Sequence, residues 1–137
     1  MYKRQISSGA PCIPWSLTLA ANTTAAVWSD GNGNAFDFND GITDGTDADS
    51  VGGALTVDPP ELALTPLSGA PTASITKGPE HTFAEGTADT ATIVTAAGTD
   101  AAACSWEITD IPLSQRIPPF TPTGDYSLDM TLTLTAQ

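Results

Sequence analysis

The sequence predicts an all-β protein, an antiparallel β-sandwich with a long Asp/Gly-rich loop. Three observations carry that expectation. Apolar and polar residues alternate with a period of two in several segments, which places successive side chains on opposite faces of a strand. Turn-forming pairs separate those segments. The composition suits strands and disfavours helices: Thr, Ala and Gly are abundant, and only 15% of residues are charged while 40% are hydrophobic. A chain of 137 residues is the size of one domain and long enough to bury a core.

Trp15, Leu17 and Leu19 alternate with Ser16 and Thr18, giving the first strand. Further strands are expected at residues 25–28, 54–57, 62–64 and 90–95. Cys104, Trp106 and Ile108 then alternate with Ser105, Glu107 and Thr109. The most regular run is the last, where Tyr126, Leu128, Met130, Leu132 and Leu134 alternate with Ser127, Asp129, Thr131, Thr133 and Thr135. Asp30-Gly31, Asp40-Gly41, Asp58-Pro59-Pro60, Ser68-Gly69-Ala70-Pro71 and Gly78-Pro79 supply the turns. Residues 30–53 are of low complexity, rich in Asp, Gly, Asn and Thr, and are expected to form one long exposed loop or a pair of loops, with Phe36 and Phe38 as a short pinned segment. Pro118-Pro119 and Pro122 are expected to keep the approach to the last strand extended and unpaired.

The formal net charge is −12, and Lys77 and Arg116 are the only Lys or Arg beyond the first five residues. That balance disfavours nucleic acid and anionic membrane surfaces, both of which need a basic face. No stretch is long and apolar enough for a spanning helix. Residues 1–5, Met1-Tyr2-Lys3-Arg4-Gln5, hold half of the Lys and Arg and match nothing after them. They are what GTG-TAT-AAG-AGA-CAG encodes when GTG is the start codon, and that DNA is the transposase end used to prepare sequencing libraries. The expectation is therefore an adapter-derived artefact at residues 1–5 of a metagenomic fragment. A single domain would cover residues 6–137, shortened at its N-terminus and separated from any signal peptide.

The two cysteines, Cys12 and Cys104, are candidates for a disulfide in an exported protein. It would close a loop of about 90 residues, worth on the order of 4 kcal/mol in the chain-entropy treatment; two buried thiols are the alternative. For a metal, Asp30, Asn32 and Asn34 follow the one-three-five spacing of a calcium loop, and Asp37 and Asp40 follow them. Calcium takes six to eight oxygens, which alternate residues of a tight loop can aim inward. Ala35 and Gly41 stand where an EF-hand has its glycine and its bidentate glutamate, while Asp44, Asp47 and Asp49 add further oxygens nearby. A self-repelling surface loop is the plainer reading. His81 is the single histidine and sits in a Pro/Gly-flanked loop. Carboxylate pairs such as Glu61/Glu80 and Glu107/Asp110 have nothing to fix their separation. No residue constellation argues for an enzyme. Among the aromatics, Trp15, Trp106 and Tyr126 fall on the inward phase of their strands. Trp28 beside the Asp-rich loop and Phe120 in the proline-rich segment are the candidate ligand contacts. Asn22-Thr23-Thr24 fits the glycosylation pattern.

The order of these features resembles the C-terminal part of a WxL domain, a surface module of Gram-positive bacteria. Trp15-Ser16-Leu17 has the Trp-x-Leu form at the start of a strand. A loop with Asp and Gly follows, then Gly53-Ala54-Leu55-Thr56-Val57 and a Thr/Ala/Gly stretch ending in Trp106. Ile117-Pro118-Pro119-Phe120-Thr121-Pro122-Thr123-Gly124-Asp125-Tyr126 is similar to the family's run into its last strand. The family's second Trp-x-Leu is here Leu132-Thr133-Leu134, without the tryptophan. The resemblance implies a β-sandwich and non-covalent attachment to peptidoglycan. The leading expectation is thus a secreted or cell-surface, non-catalytic binding module for cell-wall attachment or adhesion. Its expected partners are cell-wall polysaccharide or other surface proteins. A structural subunit of a fibre, pilus or virion, using the Thr-rich last strand for pairing, is the second reading. A calcium-dependent adhesion domain is the third.

Overall fold

The computed structural model describes residues 2–3, 13–23, 26–40, 53–67, 75–84, 89–97 and 105–136. They form twelve strands: β1 (Tyr2–Lys3), β2 (Trp15–Ala21), β3 (Val27–Ser29), β4 (Ala35–Asp37), β5 (Leu55–Val57), β6 (Ala63–Pro66), β7 (Ile75–Lys77), β8 (His81–Thr82), β9 (Thr90–Ala96), β10 (Trp106–Thr109), β11 (Leu113–Gln115) and β12 (Met130–Ala136). One 3-10 turn at Pro59–Glu61 joins β5 to β6. The fold is all-β and every strand pairing is antiparallel.

A four-stranded sheet runs in the order β12-β2-β9-β7. Two three-stranded sheets, β11-β5-β8 and β1-β10-β6, and the β3-β4 hairpin complete the described structure. One apolar cluster joins these layers. The four-stranded sheet gives it Trp15, Leu17 and Leu19 from β2 and Ala91, Ile93, Val94 and Ala96 from β9. Leu55, Val57, Leu62, Phe83, Trp106 and Phe38 come from the other elements. The inward phase expected for Trp15 and Trp106 is what the structure shows, at 7% and 5% exposure.

The period of two holds along β2 but breaks once in β9. Leu17 pairs with Val94, and Thr18 pairs with Thr92, so Ile93 has no residue opposite it in β2. This β-bulge turns both Ile93 and Val94 inward and restores the outward phase at Thr95. On the outer side of β9 the short strand β7 closes the sheet. Lys77 Nζ donates to the carbonyls of Pro60 and Leu62, each at 2.8 Å, and so ties β7 to the 3-10 turn. Gly78 follows it because the chain passes against β9: a Cβ there would lie 1.7 Å from the Thr92 carbonyl oxygen.

Two expectations about loop and strand boundaries need correction. Residues 30–40 are not exposed loop throughout: the pinned segment expected at Phe36 and Phe38 is present, and only the tip at 31–33 is fully exposed loop. Residues 30–40 form the turn and second strand of the β3-β4 hairpin and then enter the interior, where Phe38, Asn39 and Asp40 are nearly inaccessible. Phe36 and Phe38, two apart, face the same way, and burial of two phenylalanines outweighs the polar composition around them. Phe38 stacks at a tilt on Phe83 with centroids 5.5 Å apart, and its carbonyl accepts from Leu55 N. Residues 41–52 lie outside the described residues. The last strand also starts later than the alternation implies. Ser127 exchanges two backbone hydrogen bonds of 3.0 Å with Ser29 of β3, so the chain there is tied to the hairpin, and pairing with β2 begins only at Met130.

Candidate functional site

The hairpin, the end of β11 and the chain leading into β12 meet at one corner, and that corner is aromatic. Trp28 of β3 and Phe36 of β4 are cross-strand partners, with ring centroids 6.3 Å apart and planes 24° from parallel. Tyr126 continues the row at 5.4 Å from Phe36. The Ser29–Ser127 pair holds Tyr126 there, and its hydroxyl donates to the Pro122 carbonyl at 3.1 Å. Desolvation, with the charge of Asp30 as the second cause, pushes the Tyr126 hydroxyl above its ordinary 10.0.

These rings line a groove of about 460 Å³ together with Gln115, Thr121 and Thr123. Trp28 Nε1 donates to Gln115 Oε1 at 2.9 Å, and Gln115 Nε2 donates to the Arg116 carbonyl at 3.0 Å, so both side chains are fixed. The same pair also lines a second cleft of about 470 Å³, with Leu19, Leu113, Met130 and Leu132 among its other residues. Trp28 and Gln115 border both spaces. The first is mixed aromatic and polar; the second is almost wholly apolar.

Phe120 does not line the groove, but the turn that carries it adjoins groove residues in the chain. The Pro118 carbonyl accepts from Thr121 N at 3.4 Å and from Thr121 Oγ1 at 2.7 Å, closing a four-residue turn. Phe120 occupies its third position with φ 68°, a place that normally takes glycine, and its side chain is fully exposed. The segment therefore turns rather than remaining extended, and it holds a bulky aromatic in a left-handed conformation. Ile117 and Thr121, on either side of the turn, line the groove.

The residues expected to bind calcium separate into two places. Asp30, Asn32 and Asn34 meet at the hairpin tip, where Gly31 takes a positive φ. The Asp30 carboxylate accepts from Asn32 N at 2.8 Å, Asn34 N at 3.0 Å and Asn34 Nδ2 at 2.7 Å. The aspartate thereby shapes the turn, and the Asn34 side chain amide, followed by the Asn32 backbone, holds its carboxyl below the ordinary value. Asp37 lies back in β4, half-buried, and Asp40 is buried beyond it. Among the described residues no group of three or more His, Cys, Asp or Glu is placed to hold a metal ion. Cys12, Cys104, Asp44, Asp47 and Asp49 lie outside the described residues. His81 lies with Nε2 2.9 Å from Asp89 Oδ1, edge-on to Phe83, and Asp89 is itself fixed by Ala84 N at 2.8 Å.

Comparison with protein-family models, with curated proteins and with solved structures found no match.

Of the two expected contacts, Trp28 lines the groove, whereas Phe120 is fully exposed and is not among the residues that line it. Sequence reasoning did not find Gln115, Phe36 or Tyr126 as groove residues. Tyr126 shares the phase of a core-facing strand, and nothing local to Leu113-Ser114-Gln115 shows that a tryptophan far along the chain seeks its amide.

Proposed function

We propose that this chain is a non-catalytic binding module displayed outside the cell, and that its aromatic groove holds a glycan of the cell wall. The observation that carries the reading is the row Trp28–Phe36–Tyr126 along a groove edged by the uncharged donors and acceptors of Gln115, Thr121 and Thr123. Flat rings match the C–H faces of a sugar, and a few fixed amide and hydroxyl groups orient its hydroxyls. A lining of this kind suits binding better than proton transfer or nucleophilic attack. The resemblance of the Trp15-Ser16-Leu17 and Pro118-to-Tyr126 segments to a WxL domain supports the same ligand. The chain's acidity, net −12, supports a neutral ligand over a polyanion.

Co-sedimentation with insoluble peptidoglycan sacculi tests the proposal. Saturable binding is expected. Trp28→Ala and Phe120→Ala should each weaken it about tenfold or more, as truncation of an aromatic anchor commonly does. Protein that stays in the supernatant while its circular dichroism shows a folded β-protein overturns the reading.

A further inference from the structure

The two edges of the four-stranded sheet are built differently. β7 is three residues long and ends in Lys77. β12 is seven residues long, Met-Thr-Leu-Thr-Leu-Thr-Ala, with no charge and no proline, and it runs against β2 without a register shift. Among the described residues β12 pairs on one side only. Natural proteins blunt open edges with lysines, prolines, bulges or shortness, because a row of free N–H and C=O groups recruits another strand. β12 carries none of these devices. In a chain of net charge −12, it is also a stretch where two copies can approach without setting like charges opposite each other.

We propose that β12 pairs antiparallel with β12 of a second copy, about a two-fold axis through Thr133, and joins the two sheets into one of eight strands. The sequence is self-complementary in this register. Met130 stands opposite the partner's Ala136, Thr131 opposite the partner's Thr135, and Leu132 opposite the partner's Leu134. A strand of odd length and period two reads the same in both directions about its middle, so like meets like at every position. A shift by one residue would set leucines against threonines and reverse the faces. The apolar face explains why the contact forms: Leu132 lies on the core side of the sheet, beside Leu19, yet is 46% exposed. Pairing brings the partner's Leu134 against it. On the outer face the threonines of the two copies form continuous cross-strand pairs, which stabilise sheets. An interface of one strand pair is below the standard size, so the dimer is concentration-dependent. Asp129 flanks each end of the pairing and the whole chain repels its copy, so added salt strengthens association.

Sedimentation equilibrium on the intact chain tests this, because the register predicts a charge pattern. The expected result is a reversible dimer of the 14.0 kDa chain that tightens with sodium chloride. Thr133→Lys sets two lysines together on the axis, and Thr131→Lys with Thr135→Lys sets two like pairs opposite each other. Each variant should weaken the dimer about tenfold or more. Thr131→Lys with Thr135→Glu makes two opposite-charge pairs in the same register and should recover the parent affinity. All three positions are exposed, and circular dichroism confirms folding of each variant. A chain that stays monomeric up to about 1 mM, the weak end of measurable association, overturns the proposal. A dimer indifferent to the charge pattern also overturns it, since the interface then lies elsewhere. Glycan binding is read separately with sacculi, so neither result decides the other.

Discussion

Leu19 and Leu132 are cross-strand partners on the same side of the same sheet, yet Leu19 is 5% exposed and Leu132 is 46% exposed. Both belong to strands of regular alternation, and both fall on the apolar phase. The difference lies in what stands across the sandwich. Leu19 belongs to the apolar cluster with Leu55, Phe38 and Val57, whereas Leu132 stands outside that cluster and only borders the cleft that Leu19 and Leu113, itself 54% exposed, also line. Alternation therefore reports which residues share a face; the opposite layer decides whether that face is buried. The sharpest test is a matched pair of truncations followed by urea unfolding. Leu19→Ala is expected to cost about 3 kcal/mol, as for a buried leucine leaving a cavity. Leu132→Ala, measured at monomeric concentration, should cost about 1 kcal/mol, because only about half of that side chain has left water and no enclosed cavity is left behind. Equal costs would break the comparison and mean that the cleft under β12 is closed in solution.

The same contrast appears between the edges. β7 holds its place by backbone closeness, with Gly78 N donating to the Ile93 carbonyl at 2.9 Å beside the bulge. Gly78→Ala would push a methyl into the Thr92 carbonyl, and backbone does not yield as a flexible side chain does. A loss of about 2 kcal/mol is expected, in the range of overpacked sites. The loss should appear as faster amide exchange in β7 and β9 with little change in β12. Uniform loss across the sheet would show that the two edges are not independent.

The aromatic corner offers a test of opposite sign. Phe120 gains nothing from burial and sits at a positive φ that a side chain resists, so Phe120→Gly should stabilise the fold by about 1 kcal/mol. The same change should weaken sacculus binding if the ring is a contact. Gain in stability with loss of binding is the pattern of strain kept for a function. Loss of both would mean that the ring supports the turn.

Much of the strand framework was legible, and the reasons are local. Trp15–Ala21 and Trp106–Thr109 have alternation strong enough to be read without their partners, and the strand expected at 90–95 is found as Thr90–Ala96 although a bulge breaks its period. β8 and β11, at His81–Thr82 and Leu113–Gln115, are too short to show a period and exist because β5 lies between them. The hairpin of β3 and β4 was hidden by composition, since an Asp/Asn/Gly turn looks like the start of a longer loop until the burial of Phe36 and Phe38 is known. At the groove, Trp28 and Phe120 stood out because no core phase claimed them. Gln115 did not, because its role comes from a partner 87 residues away. Alternation placed Tyr126 with the core, yet the Ser29–Ser127 pairing holds its ring at the groove.

The smallest effect expected is also the one that links the hairpin tip to the groove. The Asp30 carboxyl has a lowered folded value, so the turn order it contributes is full above its ordinary 3.8 and is lost as pH falls through the folded value. Amide exchange or chemical shifts of Asn32 and Asn34 should therefore hold steady near neutrality and change only in that acid range. Tips unaffected by acid would mean that the glycines and backbone alone set the turn. Asp30→Asn removes the charge and keeps the one oxygen that accepts from Asn32 N and Asn34 N, while giving up the acceptor of Asn34 Nδ2. It should move the Tyr126 hydroxyl back toward 10.0 without reaching it, because desolvation is the larger cause and the charge of Asp30 only the second. A full return, read by ultraviolet titration of the phenol, would reverse that order and show that the hairpin tip, rather than the surrounding rings, sets the polarity of the groove.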